Sequence, residues 1–403
     1  MTLGRVVVTG ASLAGLRCVE QLRRRGFDGS VTLIGAEAHA PYDRPPLSKQ
    51  LLAGTWDTDK VTLCSEEGLA ELDVDARLGH RAAALDLAGQ AVVLETGQRV
   101  DYDALVIATG AAARVMPGTP PLEGIHVLRT LDDSLAIRAA MEDGRPAVVV
   151  IGAGFIGSEV AATARGRGLD VTVLEALPVP LSRGLGPALG AVCGELHRDH
   201  GVDLRCSVEV AGFEGHERVA AVVLSDGTSL PADLVVVGVG ASPATDWLDG
   251  SGLQVYDGVV CDETLLAHGT TNVWAAGDVA RWHHRLFDEH VRIEHWTNAA
   301  DQGAAVARNL LAGPELATPF ADVPYVWSHQ YETRIQIVGR CRADDEVTVV
   351  QGTVEDRRFV ALYGHGGHLS GAIGFNLPKA LMACNRLVAE RTPYEEAVAL
   401  SRA

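Results

Sequence analysis

Gly152-Ala-Gly154-Phe-Ile-Gly157 is the segment of this chain that most strongly indicates its fold. It follows the aliphatic run 148–151, opens a segment of helical periodicity, and is followed by a second aliphatic run that ends at Glu175. The same design opens the chain, where Gly10-Ala-Ser12-Leu-Ala-Gly15 is followed by Glu37. A strand, a glycine turn, a helix, a second strand and an acid are typical of a dinucleotide-binding unit. Two copies predict two bound dinucleotides, and therefore redox chemistry between them.

Each residue type in these turns has a physical reason. The first glycine permits a tight turn, a small middle residue lets the backbone approach a pyrophosphate, and the third glycine lets helix and strand pack closely. The helix N-terminus presents N–H groups to the phosphates. Glu175 can accept hydrogen bonds from an adenosine ribose and would repel a 2′-phosphate, and the first arginine after it is Arg183. The second unit is therefore expected to prefer NADH over NADPH.

The composition disfavours several classes of function. The chain has 403 residues, enough for two or three domains, and a net charge of −18, which disfavours nucleic acid and anionic membrane as partners. Its seven cysteines form no C-x-x-C pair, which fits a reducing compartment, and no apolar run approaches the roughly 18 residues that span a bilayer. The first strand is expected near residue 5, so we expect no signal peptide and a soluble, cytoplasmic protein. No metal site is expected, because the clustered histidines lack a ligand spacing backed by thiols or paired acids; they are His283, His284, His290 and His295.

The order of segments predicts the architecture. Aliphatic runs alternate with helix-period stretches through residues 1–310, which predicts parallel sheets covered by helices. Hairpins are predicted at 91–99 and 218–230, each followed by one more strand, and the proline-rich residues 41–46 predict a rigid loop. From about residue 318 a third part is predicted, with strands followed by a helix over 378–390. The expected fold class is α/β: two Rossmann-like domains, each with a parallel sheet and an antiparallel crossover sheet in three layers, and a C-terminal α+β domain.

The longer strings resemble those of the oxygenase-coupled NADH-dependent ferredoxin reductases, FAD flavoproteins of the glutathione-reductase-like fold, over essentially the whole chain. The strings are Pro41-Tyr-Asp-Arg-Pro-Pro-Leu-Ser-Lys49, Ala108-Thr-Gly110, Gly154-Phe-Ile-Gly-Ser-Glu159-Val-Ala-Ala, Ala275-Ala-Gly-Asp278 and Trp327-Ser-His-Gln330. The resemblance implies an FAD-binding domain at 1–114 and 244–318, an NADH-binding domain at 115–243 and a C-terminal domain at 319–403. Two residues depart from the family pattern: His329 replaces the usual Asp, and Val179 stands where an Arg often follows the ribose-binding acid.

The resemblance also implies the site residues. Lys49 is expected near the flavin N5 and O4, where an ammonium stabilises the charge of reduced flavin, and Glu159 is expected to face the nicotinamide amide. These two are the predicted catalytic residues. The FAD contacts implied are Gly10, Ser12, Leu13, Ala14, Gly15, Glu37, Arg44, Lys49, Ala82, Ala108, Thr109, Gly110, Arg129, Gly277, Asp278, His295 and Trp296. The NADH contacts implied are Gly152, Gly154, Phe155, Ile156, Gly157, Glu159, Glu175, Arg183 and Gly238.

The expected activity is electron transfer from NADH through FAD to an iron–sulfur ferredoxin that serves a haem monooxygenase or a Rieske-type oxygenase. NADH delivers a hydride whereas an iron–sulfur cluster accepts one electron at a time, and a flavin converts between them. A 2Fe-2S ferredoxin is favoured over a 3Fe-4S one, with Arg308, Arg334 and Arg340 as candidate docking bases and a monomer or weak homodimer as the expected state.

Two alternatives stay open. One is an NADH-sensing flavoprotein that holds a long-lived charge-transfer complex, and the other is an NADH oxidase or rubredoxin reductase of the same fold. Oxidases, peroxidases and disulfide reductases that use a flavin-facing cysteine are disfavoured, because positions 41–63 contain no cysteine.

Overall fold

The structure, a computed structural model, describes residues 3–402. Its helices are α1 (Leu13–Arg24), α2 (Glu66–Glu71), α3 (Leu131–Glu142), α4 (Phe155–Gly166), α5 (Ser182–Asp199), α6 (Trp296–Ala312), α7 (Pro378–Ala389) and α8 (Tyr394–Arg402). Its strands are β1 (Arg5–Thr9), β2 (Ser30–Gly35), β3 (Asp75–Leu78), β4 (Ala82–Asp86), β5 (Ala91–Leu94), β6 (Arg99–Asp101), β7 (Ala104–Ile107), β8 (Ala111–Ala113), β9 (Ile125–Val127), β10 (Val148–Ile151), β11 (Val171–Glu175), β12 (Asp203–Cys206), β13 (Val210–Gly215), β14 (Val219–Leu224), β15 (Ser229–Pro231), β16 (Leu234–Val237), β17 (Ala241–Pro243), β18 (Val259–Cys261), β19 (Val273–Ala275), β20 (Ala280–His284), β21 (Glu289–Val291), β22 (Tyr325–Gln330), β23 (Thr333–Gly339), β24 (Glu346–Thr353), β25 (Arg358–His365) and β26 (His368–Phe375).

Unit 1 comprises Met1–Asp43, Val61–Ala112 and Ser242–Pro324. A five-stranded sheet in the order β19-β7-β1-β2-β3 forms its centre, and β1 pairs in parallel with both β2 and β7. Residues 6–8 of β1 are buried, as a parallel strand covered on both faces requires. Helices α1 and α6 pack on this sheet, and a three-stranded antiparallel sheet, β4-β5-β6, forms a further layer.

Unit 2 comprises Arg44–Lys60, Ala113–Ala241 and Tyr325–Ala403. It repeats the design with a five-stranded sheet in the order β12-β11-β10-β16-β9 and a three-stranded sheet, β13-β14-β15. A five-stranded antiparallel sheet, β22-β23-β26-β25-β24, follows, with α7 and α8 beside it. Its apolar face packs with α5 into a shared core, and the Tyr363 hydroxyl donates to the Leu185 carbonyl at 2.8 Å.

The internal duplication extends to individual backbone hydrogen bonds. The N–H of Gly10 donates to the Ile34 carbonyl at 2.7 Å, and the N–H of Gly152 donates to the Leu174 carbonyl at the same distance. The predicted hairpins are confirmed by the antiparallel pairs β5–β6 and β14–β15. The mixed fold class is confirmed as well, with parallel sheets in both units and an antiparallel C-terminal sheet.

Two local features differ from the sequence predictions. Pro45–Ser48 forms a 3-10 helix, where a loop was expected through residue 46, because proline is compatible with the first turn of a helix. Helix α8 was not predicted, whereas the helix expected at 378–390 is α7. The three predicted domain boundaries stay a prediction. Within residues 3–402, no helix combines the length and the apolar character that crossing a membrane requires.

Candidate cofactor-binding and active site

The glycine turn of unit 2 leaves a cradle at the start of α4. A Cβ on Gly157 would lie 2.0 Å from the Gly152 carbonyl oxygen, so this close approach requires glycine. A Cβ on Gly154 would meet nothing within 4 Å, and the side chain of the next-but-one residue, Ile156, is 46% exposed. The space in front of the helix N-terminus is therefore open, as the approach of a pyrophosphate requires. The residues fit an NADH phosphate site.

Glu175 lies at the end of β11, beside this turn. Its Oε2 accepts the N–H of Ala153 at 2.7 Å, and its Oε1 accepts the N–H of Leu177 at 2.9 Å. The carboxylate thus stabilises the glycine turn, a role that sequence reasoning had not assigned to it.

Gly238 lies against the same turn, since a Cβ there would be 3.5 Å from the Gly157 Cα. Arg183, in the first turn of α5, is exposed to solvent, and Phe155 is partly buried against the core that α5 shares with the C-terminal sheet.

Unit 1 brings together the first glycine turn and two further strand ends. Gly10 has a φ of 115°, and a Cβ there would lie 2.0 Å from the Ala108 carbonyl oxygen, so only glycine fits. Gly277 lies against Ala14, because its added Cβ would be 3.2 Å from the Ala14 Cβ. The turn that carries Ser12, the 108–110 segment and the 277–278 segment therefore meet at one edge of the sheet.

Gln302, on α6, is a residue at this edge that sequence reasoning missed. Its Oε1 accepts the N–H of Gly277 at 2.8 Å, and the side chain is fully buried. Its Nε2 has no hydrogen-bond partner among the described residues. A buried donor of this kind calls for an acceptor, and a dinucleotide at the glycine turn supplies phosphate and hydroxyl oxygens. The edge of unit 1 fits an FAD site.

The remaining predicted FAD contacts of unit 1 occupy ordered positions. The Tyr42 hydroxyl donates to Glu37 Oε2 at 2.5 Å, and the Trp296 indole donates to Asp43 Oδ1 at 2.6 Å. Ala82 begins β4, Asp278 lies in a short 3-10 turn, and His295 is the N-cap residue of α6. Thr109 donates to the Ala244 carbonyl at 2.8 Å, and Leu13 and Gly15 are buried in α1.

A buried ion pair in unit 2 joins the two predicted catalytic residues. Lys49 Nζ lies 2.6 Å from Glu159 Oε2, with the side chains 13% and 4% exposed. The Ser48 hydroxyl donates to the same oxygen at 2.5 Å, and the Ser328 hydroxyl donates to Glu159 Oε1 at 2.7 Å. The carboxylate therefore has donors on both oxygens, which offset the free energy of burying its charge.

The segment that carries Lys49 is fixed by helices α3 and α4. Ser134 donates to the Leu47 carbonyl at 2.7 Å, and Thr163, one turn after Glu159, donates to the Ser48 carbonyl at 2.8 Å. At the start of this segment, Arg44 donates to the carbonyl of Arg129 at 2.5 Å, so the structure brings these two predicted FAD contacts together. Because the segment is held at several points, the ammonium has a defined position.

His329 changes the charge near this pair. It is half-buried on β22, and burial lowers the pKa of its imidazole. The positive charges of Arg334 and Lys49 lower that pKa further, while the charge of Glu159 raises it. The imidazole is therefore neutral at neutral pH, whereas the family pattern that this string resembles has a negatively charged Asp at the same position.

All seven cysteines are free in the structure. Burial raises the pKa of Cys18 and of Cys193 to about 12, so these thiols stay protonated at neutral pH. Cys64, near the proline-rich segment in sequence, also has a raised pKa, from burial and from the charges of Glu20 and Glu71. None of these three provides a ready thiolate for disulfide chemistry.

Comparisons with known proteins agree with this description. Residues 4–303 match the family described as pyridine nucleotide-disulphide oxidoreductase, and residues 325–402 match the reductase C-terminal family. Putidaredoxin reductase of Pseudomonas putida is 35% identical over 97% of this chain and 93% of that protein. The ferredoxin–NAD(+) reductase component of the biphenyl dioxygenase system of Paraburkholderia xenovorans is 37% identical over 96% of this chain and 93% of that protein. The crystal structure of the covalent putidaredoxin reductase–putidaredoxin complex superposes with a TM-score of 0.92 at 33% identity, over 99% of each chain.

The fold and the two glycine turns define an oxidoreductase built for two dinucleotides. The chain belongs to the pyridine nucleotide-disulphide oxidoreductase family, together with the ferredoxin reductases to which it is similar throughout. Enzymes of this group use FAD and NAD(H).

Proposed function

We propose that this chain is an NADH-dependent ferredoxin reductase that supplies an oxygenase, either a haem monooxygenase or a Rieske-type enzyme. NADH gives up a hydride and leaves as NAD+, two ferredoxin molecules each accept one electron, and one proton is released. The names of the relatives support the reaction class. The observation that carries the proposal is the buried Lys49–Glu159 pair on and beside α4, the helix whose N-terminus forms the NADH cradle.

Bound FAD supplies the conversion between hydride transfer and single-electron transfer. The chain itself positions the reactants and stabilises charge. The open N-terminus of α4 binds the NADH pyrophosphate, and Glu175 accepts from the adenosine ribose while it holds the turn. Lys49 provides a fixed positive charge, and Glu159 orients it and the nicotinamide amide. Because both side chains are buried, water screens their charges little and their electrostatic interactions are stronger than they would be in water.

The FAD site is assigned to the edge of unit 1 formed by the first glycine turn, Glu37, Ala82, the 108–110 segment, the 277–278 segment and residues 295–296. The contacts proposed for Arg44, Lys49 and Arg129 rest on the family resemblance. The NADH site is assigned to the second glycine turn, with Glu175, Arg183 and Gly238.

The partner is proposed to be a 2Fe-2S ferredoxin. With a net charge of −18, this chain can attract an acidic partner only through local bases. Arg334 is exposed on β23, and Arg308 and Arg340 are partly buried. These three arginines are the proposed docking residues. The seven free cysteines support a cytoplasmic protein, and a monomer or weak homodimer is proposed.

Anaerobic stopped-flow spectroscopy tests this function. The FAD-loaded protein is reduced with one equivalent of NADH and then mixed with an oxidised 2Fe-2S ferredoxin or with buffer, and the same reduction is run with NADPH. We expect fast flavin reduction by NADH, slow reduction by NADPH, and reoxidation within seconds only when ferredoxin is present. A reduced complex that persists for minutes beside ferredoxin would instead indicate an NADH sensor. In a third mixing, with air-saturated buffer in place of ferredoxin, equally fast reoxidation would indicate an oxidase.

A further inference from the structure

Ser328 approaches the Lys49–Glu159 ion pair from the C-terminal part of unit 2. It lies on β22, 169 residues from Glu159 in sequence, and its side chain is fully buried. Among the described residues, its hydroxyl is the donor to Glu159 Oε1, at 2.7 Å. The other oxygen, Oε2, is held by Ser48 and Lys49 from the opposite end of the unit's chain.

The strand that carries Ser328 is itself anchored. Ser328 pairs with Ile335 on β23, and Gln330 Nε2 lies 3.4 Å from the Ser328 hydroxyl oxygen. The turn after β22 is held by Tyr331, whose hydroxyl lies 2.9 Å from His197 Nδ1 on α5. The Ser328 hydroxyl thus has a defined position, which a donor needs if it is to orient its acceptor.

A carboxylate with donors on one oxygen alone keeps rotational freedom, because the terminal torsion of Glu has a broad, roughly two-fold energy profile. Donors on both oxygens remove that freedom. Without Ser328, Oε1 would be buried without the donor that the structure gives it, and the carboxylate would turn to find another. Lys49 Nζ would follow, since it is bonded to the other oxygen of the same group.

We propose that Ser328 is a positioning residue for NADH oxidation, through which the C-terminal strand β22 sets the orientation of the Glu159 carboxylate. This inference rests on the proposed function of Glu159. The contact of Ser328 in this site is with the Glu159 carboxylate, so its effect is assigned to the step after NADH has bound.

The test is a double-mutant cycle in the FAD-loaded protein with Ser328→Ala, Glu159→Gln and the double variant. Ser328→Thr, which keeps the hydroxyl, is the rescue variant. The matched control is Ser370→Ala, because Ser370 is a buried serine on β26 of the same sheet that donates to Asp345 and Tyr363 instead. The measurements are the flavin reduction rate at saturating NADH, the dissociation constant of NAD+ by calorimetry, and the Tm.

We expect Ser328→Ala to slow flavin reduction about tenfold while the NAD+ dissociation constant changes less than twofold. Ser328→Thr should restore the rate at least partly, and Ser370→Ala should leave it unchanged. In the Glu159→Gln background, Ser328→Ala should have little further effect on the rate, because the charged carboxylate whose orientation Ser328 sets is no longer present.

Additive effects of the two substitutions, or an unchanged rate in Ser328→Ala, would overturn the positioning role. If Glu159→Gln slows reduction while Ser328→Ala does not, the inference fails and the role of Glu159 stands. If neither substitution slows it, the role of Glu159 fails as well. Should Ser328→Ala lower the Tm by more than about 5 °C, Ser328→Cys takes its place, since a thiol fills the volume and is a weak donor.

Discussion

Gly154→Ala separates the folding role of the second glycine turn from its binding role. Gly154 has φ −73° and ψ −177°, an extended conformation that alanine adopts without strain. Its added methyl group meets no protein atom within 4 Å. The change should therefore be tolerated by the fold and felt only by a ligand that approaches the turn.

The size of both effects follows from the geometry. Replacing glycine by alanine where the backbone is compatible stabilises by about 0.4–1 kcal/mol, and the loss of a good N-cap residue offsets this by a similar amount. We expect the Tm to change by less than about 3 °C. A methyl group in the cradle keeps the pyrophosphate from at least one N–H of the α4 N-terminus. A hydrogen bond to a charged group contributes about 1.5–3 kcal/mol, so the dissociation constant of NAD+ should rise roughly 10- to 150-fold.

Isothermal titration calorimetry with NAD+ and thermal unfolding measure the two quantities. Gly166→Ala is the matched control, because Gly166 is at the other end of the same helix and its added Cβ also meets nothing within 4 Å. It should leave NAD+ affinity unchanged and raise the Tm slightly. If Gly154→Ala binds NAD+ within twofold of the natural protein, the cradle does not hold the pyrophosphate and the assignment of this turn is refuted.

Three other predictions test the site and its surroundings. Glu175→Ala should raise the NADH KM about tenfold and narrow the preference for NADH over NADPH. Glu175→Gln should mainly narrow that preference, because it keeps an acceptor for the Ala153 N–H. Steady-state kinetics with both nucleotides measure the preference, and an unchanged preference would remove Glu175 from the ribose site. Lys49→Met leaves the Glu159 carboxylate buried without its cation and should destabilise the protein by about 3 kcal/mol. The double variant Lys49→Met with Glu159→Gln should recover most of the lost Tm. An equal loss of Tm in the single and the double variant would contradict a buried ion pair. His197 has a pKa lowered to about 4 by burial and by the charges of His200 and Arg198, below its ordinary value of 6.5, so its contribution to stability is present above pH 6.5 and is lost as the pH falls toward 4. About 2 kcal/mol should be lost by pH 5, and His197→Gln should have a flatter dependence of the unfolding free energy on pH; parallel curves for the two proteins would refute the assignment.

The parts of this structure that sequence predicts are those with local causes. Gly10 needs glycine because its φ is positive, and Gly157 needs it because the turn closes on a carbonyl five residues earlier. Both constraints act within one turn and leave a fixed spacing in the sequence. The hairpins likewise follow from turn residues between short apolar runs. The 3-10 helix at Pro45–Ser48 was missed because proline signals the end of a helix and also its first turn, and the sequence does not distinguish the two.

The arrangement around Glu159 could not be predicted in the same way. Its partners Ser48 and Ser328 are 111 and 169 residues away, and nothing in the local sequence of a serine shows which carboxylate it will reach. The one signal was that both serines lie inside strings that resemble the family. Gln302 gave no signal, since its position on the buried face of α6 is decided by packing within unit 1. Long-range side-chain contacts depend on the complete fold, which spacing rules do not contain.

The burial of Lys49 and Glu159 supports the proposal that this pair serves the reaction more than the fold. Removing two charges from water has a free-energy cost of several kcal/mol per ion, and their attraction with good hydrogen bonds offsets it without a large surplus. An apolar pair of similar volume would stabilise the same packing at least as well. The pair is nevertheless given two serine donors, and its segment is tied to α3 and α4 by Ser134 and Thr163. This fixed orientation is consistent with the proposed roles of the ammonium and the carboxylate beside the helix to which NADH binding is assigned, because charges held before the reaction need no reorganisation during it.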